Sequence, residues 1–339
     1  MTVLGGRDAL VGAVLAALLG LAACGGAAAP GGAGGAGGGA PGGAPTLAGC
    51  EVFPADHVWN ARIDHLPVHP LSDDFVAAIG LDSPVHPDFG AGLWEGAPIG
   101  IPYAVVGAGQ PLVDVSFRWP DESDPGPYPV PPDAPVEGAP PGGVAPGGDR
   151  HVLVLDSSTC RLYELFAAVK RDDGSWEAGS GAVFDLGAYD LRPDGWTSAD
   201  AAGLPILPGL VRYDEVAAGA VRHALRFTAP RTRAAHVWPA RHHASALTDE
   251  RYPPMGQRFR LREDFDASGF SPEAQAIVAA MKRYGIVLAD NGSPWFLSGA
   301  PDERWDDQAL RDLRRIRGSD LEAVDVSSLM AEPGSGRVR

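Results

Sequence analysis

Along this chain the apolar positions mostly alternate with polar ones or gather into β-branched runs, and a helical period is held only in short stretches. Residues 99–106 and 112–119 are two such runs separated by Gly107-Ala108-Gly109-Gln110-Pro111, which predicts a hairpin. Residues 151–155 and 160–168 bracket Asp156-Ser157-Ser158-Thr159 as a second hairpin, apolar on both faces and therefore central, and 182–186 is a further strand. In 221–228, Val221, His223, Leu225 and Phe227 share one face and Arg222, Ala224, Arg226 and Thr228 the other, so His223 points to the apolar side. Arg258, Arg260 and Arg262 alternate with Phe259 and Leu261, the pattern of a half-exposed strand. Residues 286–289 and 295–297 flank Asp290-Asn291-Gly292-Ser293. Asn-Gly accepts positive φ, so this reads as a third hairpin with Asp290 in its turn.

Ser72 opens a short helix that Gly80 stops, and Ser271 caps the best one. There Pro272 suits the first turn, and Ala274, Ile277, Val278, Met281 and Tyr284 form one stripe up to Gly285. Residues 198–202, 211–218 and 307–316 each suit a shorter helix. Residues 51–70 have no period and read as an extended segment, while 120–148 hold so many Pro and Gly that they form an irregular loop, suited to be one wall of a cleft. The fold class this implies is mainly β, an antiparallel β-sandwich with a few peripheral helices.

Composition adds a compartment. Arg7 precedes an apolar run over 9–21 that ends in Leu21-Ala22-Ala23-Cys24, which resembles a lipobox, and the run is too short to span a bilayer as a mature helix. We therefore expect a lipoprotein signal peptide over 1–24 with Cys24 lipidated, the alternative being an ordinary secretion signal cleaved nearby. A Gly/Ala/Pro tether over 25–47, a single globular domain over 48–330 and a tail over 331–339 follow. The protein is expected outside the cytoplasm, anchored to the cell membrane or the outer membrane through lipid alone, and monomeric. Loss of Arg7 and Asp8 cancels, so the net charge stays at -16, which excludes nucleic acid as a partner. Cys50 and Cys160 are then an even pair, expected as a disulfide worth on the order of 4 kcal/mol in the chain-entropy model; two buried thiols are the alternative.

Several chemistries are absent. The chain has no phosphate-binding G-x-x-x-x-G-K-[ST], no H-E-x-x-H and no Rossmann glycine pattern, and Ala178-Gly179-Ser180-Gly181-Ala182 lacks the outer glycines of a nucleophile elbow. Only Lys170 and Lys282 are available for Schiff-base work, and no cofactor is expected. The richest stretch is 195–243, with four histidines, Trp196, Trp238, Asp200, Asp214, Glu215 and several arginines. Glu164 lies in a strand apolar on either face, so it needs a partner or a raised pKa; the first makes it a structural ion pair and the second a general acid. Asp200 is either a helix cap or an acid or base, and His223 either a hydrogen-bonded core histidine or a base. His236, His242 and His243 do not follow a zinc spacing, so no metal is assigned.

Eight tryptophans beside loops and carboxylates suit carbohydrate, whose rings stack on aromatic faces and whose bonds break between two carboxyl groups. The plain alternative is that they fill the core. The leading expectation is a polysaccharide-active enzyme resembling a glycoside hydrolase, with Glu164, Asp200 and His223 catalytic and Trp196, Trp238, Arg222 and His242 binding substrate. A non-catalytic carbohydrate or cell-envelope binding protein is the alternative, and a structural envelope protein the third reading.

Gly49-Cys50-Glu51-Val52-Phe53-Pro54, D-R-H-V-L-V-L-D over 149–156, the block 195–216, H-A-L-R-F-T over 223–228 and A-D-N-G-S-P-W-F-L-S-G over 289–299 together resemble a family of secreted or lipid-anchored bacterial proteins without an assigned activity. The resemblance runs from residue 50 to about 326. It implies domain limits and no catalytic residue.

Overall fold

The computed structural model describes residues 43–339. The signal segment, Cys24 and most of the tether lie outside the described residues. The described part is mostly β, with several sheets and few helices. Among the described residues no helix is long and apolar enough to cross a membrane.

Two sheets dominate. The first has four strands in the order Ser180–Asp185, Arg161–Phe166, Val152–Asp156 and Tyr103–Val106. Its middle pair is the expected 151–168 hairpin, antiparallel from Val152 opposite Leu165 to Asp156 opposite Arg161. Both faces are covered, as an apolar run on each side requires. Leu153, Leu155 and Leu162 enter the main core, while Val152, Val154 and Leu165 pack with Tyr128 and Trp176 in a second one.

The second sheet runs Leu321–Val324, Arg258–Leu261, Ile286–Asn291, Leu225–Ala229, Phe296–Ser298 and His86–Asp88. Helix Pro272–Arg283 begins as expected, with the Ser271 side chain accepting from Ala274 N. Its Ala274, Ile277, Val278 and Met281 enter the main core.

Strand pairing corrects the sequence reading in three places. The sheets are mixed, not antiparallel: Tyr103–Val106 runs parallel to Val152–Asp156, and Leu225–Ala229 parallel to Ile286–Asn291. Residues 99–119 are no hairpin, because Val115–Phe117 leaves for a small sheet beside Trp176–Ala178. The Asn-Gly signal at 291–292 is also not a hairpin, since Leu225–Ala229 lies between Ile286–Asn291 and Phe296–Ser298 and pairs with both. Positive φ falls at Trp295 instead of Gly292. Local turn chemistry was overruled by insertion of a strand from far along the chain.

Smaller differences follow from tertiary contacts. The 198–202 segment is a turn, not a helix. Arg258 is buried in a strand read as half-exposed, its guanidinium donating to the carbonyls of Tyr284 and Val58. Thr46–Leu47 pairs with Cys50–Glu51, so the ordered fold begins two residues inside the expected tether. The expected tail is laid back on the domain through bridges from Ser335 to Asp190 and from Arg337 to His57. The disulfide between Cys50 and Cys160 is present and closes a separation of 110 residues.

Candidate functional site

A cleft of about 420 Å³ lies where the two sheets and the long loop meet. Its walls are Trp119, Glu122 and Asp149 from the loop region, Phe166 at the end of its strand, the 197–201 turn, His242, and Asp290 and Asn291 at the carboxyl end of Ile286–Asn291. The 120–148 loop does supply a wall, through Glu122.

The turn and the strand end are locked together. Between Ile286–Asn291 and Leu225–Ala229 the register shifts at Phe227/Thr228, leaving Ala289 as an extra residue. A bulge of this kind re-aims the side chains beyond it, here Asp290. The bulged Ala289 carbonyl accepts from Ala202 N at 2.9 Å, which ties the strand to the Asp200 turn. Within that turn Ser198 Oγ accepts from Asp200 N at 2.9 Å and donates to Leu204 O at 2.6 Å. Gly203 is needed for its φ of +68°, and a Cβ there would meet the Trp196 carbonyl at 2.5 Å.

Beneath the cleft floor Arg226 binds Asp200 through a two-pronged contact, Nε to Oδ2 and Nη2 to Oδ1, both 2.8 Å. Its Nη1 donates to Ser298 Oγ at 2.6 Å, and Nη2 also reaches Asp290 Oδ2 at 3.2 Å. Asp200 and Asp290 therefore share one nitrogen, which puts the two bonded oxygens no more than 6.0 Å apart (2.8 Å plus 3.2 Å). Burial, and then the charge of Asp200, push the Asp290 carboxyl up to about 7, because one guanidinium cannot balance two carboxylates. The Asp290 side chain keeps 20% exposure, whereas that of Asp200 has none.

Two further buried groups flank this pair. His151 donates from Nδ1 to Glu137 Oε2 at 2.5 Å and from Nε2 to Ala199 O at 3.0 Å. Burial opposes its charge, but the Glu137 carboxylate outweighs it and lifts the imidazole to about 9. Ligand atoms of Glu137, Asp149 and His151 fall within 4.8 Å of one another, a spacing that could suit a metal. With both ring nitrogens of His151 donating, the group is arranged as an ion pair and not as a metal cage.

Each residue singled out from sequence has a clear place. Glu164 is fully buried and accepts from Ile206 N and Leu207 N at 2.9 Å; burial pushes it up to about 7. It has no exposed surface and does not line the cleft, unlike the position expected of it from sequence. Asp200 caps no helix; it lies in the cleft wall, but its carboxylate has no exposure and is held by Arg226. His223 lies elsewhere, buried beside Glu215 and Arg212, and does not share a cavity wall with Glu164.

Of the proposed binding residues only His242 lines the cleft, its Nδ1 donating to Ala201 O at 2.8 Å. Trp196 is stacked under Arg192, Trp238 lines a separate groove and donates to Ser335 O, and Arg222 is half-buried next to His223. Sequence reasoning missed Arg226, Asp290, Asp149, Glu122 and Trp119. For Asp290 a signal existed: it ends the apolar run Ile286-Val287-Leu288-Ala289, where a buried parallel strand delivers a carboxyl to a sheet edge.

No family model, no curated protein and no solved structure matches this chain.

Proposed function

We propose that this domain acts on polysaccharide, cleaving a glycosidic bond in the cleft between Trp119 and Asp290, with Asp290 as the proton donor. One observation carries the reading: Asp290 is the single carboxyl that both opens to the cleft and leans on a guanidinium already filled by another acid. A carboxylic acid kept protonated near neutral pH is what a leaving-group oxygen needs. The cleft volume also falls within the range of small-molecule sites.

In this mechanism the Asp290 proton passes to the glycosidic oxygen as its bond to the anomeric carbon breaks. A water molecule attacks that carbon and gives its proton to Asp149, whose carboxylate faces the same cleft. Asp200 and Arg226 are positioning residues that hold Asp290. Trp119, 42% exposed and stacked with Phe166 at 6.2 Å, offers a ring face to the sugar. Glu164 and His223, the acid and base expected from sequence, support the fold in this account.

The disulfide is in keeping with an oxidising compartment. A lipid anchor at Cys24 would hold the domain beside envelope glycans. Residues of both larger sheets meet in the main core, which supports a distorted sandwich as the architecture. The test is reducing-end release across a glycan panel. Asp290→Asn is expected to lower release by about 10² to 10⁴-fold with the fold intact; unchanged release would remove Asp290 from the reaction.

A further inference from the structure

Resting on that reading of the cleft, we infer that its ligand is a cationic glycan, one bearing free amino groups, and not a neutral or acidic one. Four acidic residues line the cavity and no lysine or arginine does: Asp200 is sealed on Arg226, Asp290 keeps its proton, and Glu122 and Asp149 are left to meet a ligand cation. Two of the arginines close by, Arg226 and Arg192, are already occupied. Arg226 is held by Asp200, Ser298 and Asp290, and Arg192 by Asp124 and the carbonyls of Thr197 and Glu122.

The lining carboxylates, in contrast, are weakly satisfied. Glu122 Oε2 has one long contact, from Thr197 N at 3.4 Å. Among the described residues no hydrogen bond reaches the exposed Asp149 carboxylate, and its nearest charge partner, the His151 imidazole, stands off at up to 4.8 Å. Acidic groups lining one cavity repel one another, and a ligand ammonium relieves that repulsion while a uronic or sulfated sugar adds to it.

The aromatic wall has the same preference. Arg118, an exposed side chain, stands over the Trp119 ring with its guanidinium carbon 5.2 Å from the centroid. The π face of Trp119 thus already accepts a cation, and an amino sugar can displace Arg118 and place both its ring and its ammonium against that wall. A peptide cation would meet the carboxylates but leave the flat Trp119 and Phe166 surface without a stacking partner.

The experiment is calorimetric titration of the full chain at about pH 6 with three matched hexasaccharides: a glucosamine oligomer, its N-acetylated form and a galacturonate oligomer, with hexalysine as a fourth probe. We expect the glucosamine oligomer to bind about tenfold tighter than its N-acetylated form, and the galacturonate oligomer not to bind. The preference is expected to collapse in Glu122→Gln/Asp149→Asn, with the N-acetylated oligomer still bound, and to weaken on raising salt. Equal affinity for the amino and N-acetyl oligomers would overturn the charge preference and leave the glycan site standing. Hexalysine binding as tightly as the glucosamine oligomer would overturn a glycan as the ligand. Failure of all three oligosaccharides to bind would sink the glycan reading itself.

Discussion

Arg212 and Arg226 are both buried and both hold carboxylates, yet they are balanced in opposite ways. Arg212 donates to Glu215 at 2.7 Å and to the Leu207 carbonyl, and the same Glu215 lies 3.1 Å from His223. There one carboxylate serves two nitrogen bases. Burial opposes its charge, but Arg212 and His223 outweigh it and hold Glu215 down at about 2. Arg226 instead serves two carboxylates, and the second, Asp290, keeps its proton up to about 7. Residue types and depth are similar, so the ratio of acids to cations decides whether a cluster locks a charge or stores a proton.

Removing the cations breaks the comparison most violently. Arg226→Met strands Asp200 with no exposure and should cost about 3 to 5 kcal/mol in urea denaturation at neutral pH. Arg212→Met should cost less, about 2 kcal/mol, because Glu215 keeps His223 and 14% exposure. Adding Asp200→Asn to Arg226→Met should recover part of the loss in a double-mutant cycle; no recovery would mean that Arg226 is held for packing alone.

Acidity separates the two clusters next. The carboxyl of Glu215 lies below its ordinary 4.5, so its contribution is present above that value and is lost as pH falls toward about 2. Asp290 lies above its ordinary 3.8, so the native state binds the extra proton and stability falls as pH rises from there to about 7. Stability measured against pH should therefore lose its acid-side slope, worth about 3 kcal/mol, in Glu215→Gln. It should lose part of its neutral-side slope, on the order of 2 kcal/mol, in Asp290→Asn. The reverse pattern would exchange the roles given to the two clusters.

The smallest effect belongs to Glu164. Glu164→Gln removes a carboxyl that burial holds near 7, and should raise stability at about pH 8 by about 1 kcal/mol while glycan release stays unchanged. A loss of release matching that of Asp290→Asn would return Glu164 to the reaction.

How far the sequence could be read follows the same division. Local signals were sufficient for the 151–168 hairpin, the Ser271 cap and the cysteine pair, because neighbours or spacing decide them. They failed where a distant strand intervenes, as at Asn291-Gly292, and they put Arg226 on a polar face that a six-stranded mixed sheet in fact buries. The apolar run around Glu164 marks it as a carboxyl needing help. Its help is two backbone N–H groups, which no pattern of side chains announces. By its local pattern Asp290 is a turn residue, because the bulge that aims it depends on pairing with Leu225–Ala229, some 60 residues earlier.

The proton stored at Asp290 is central to the proposed reaction, and it can be observed without knowing the substrate. Carbon-13 NMR titration of the aspartate carboxyls, with Asp290→Asn to assign the signal, is predicted to give a midpoint near 7 for Asp290. A midpoint at or below its ordinary 3.8 would mean that Arg226 balances both acids, and would contradict the account.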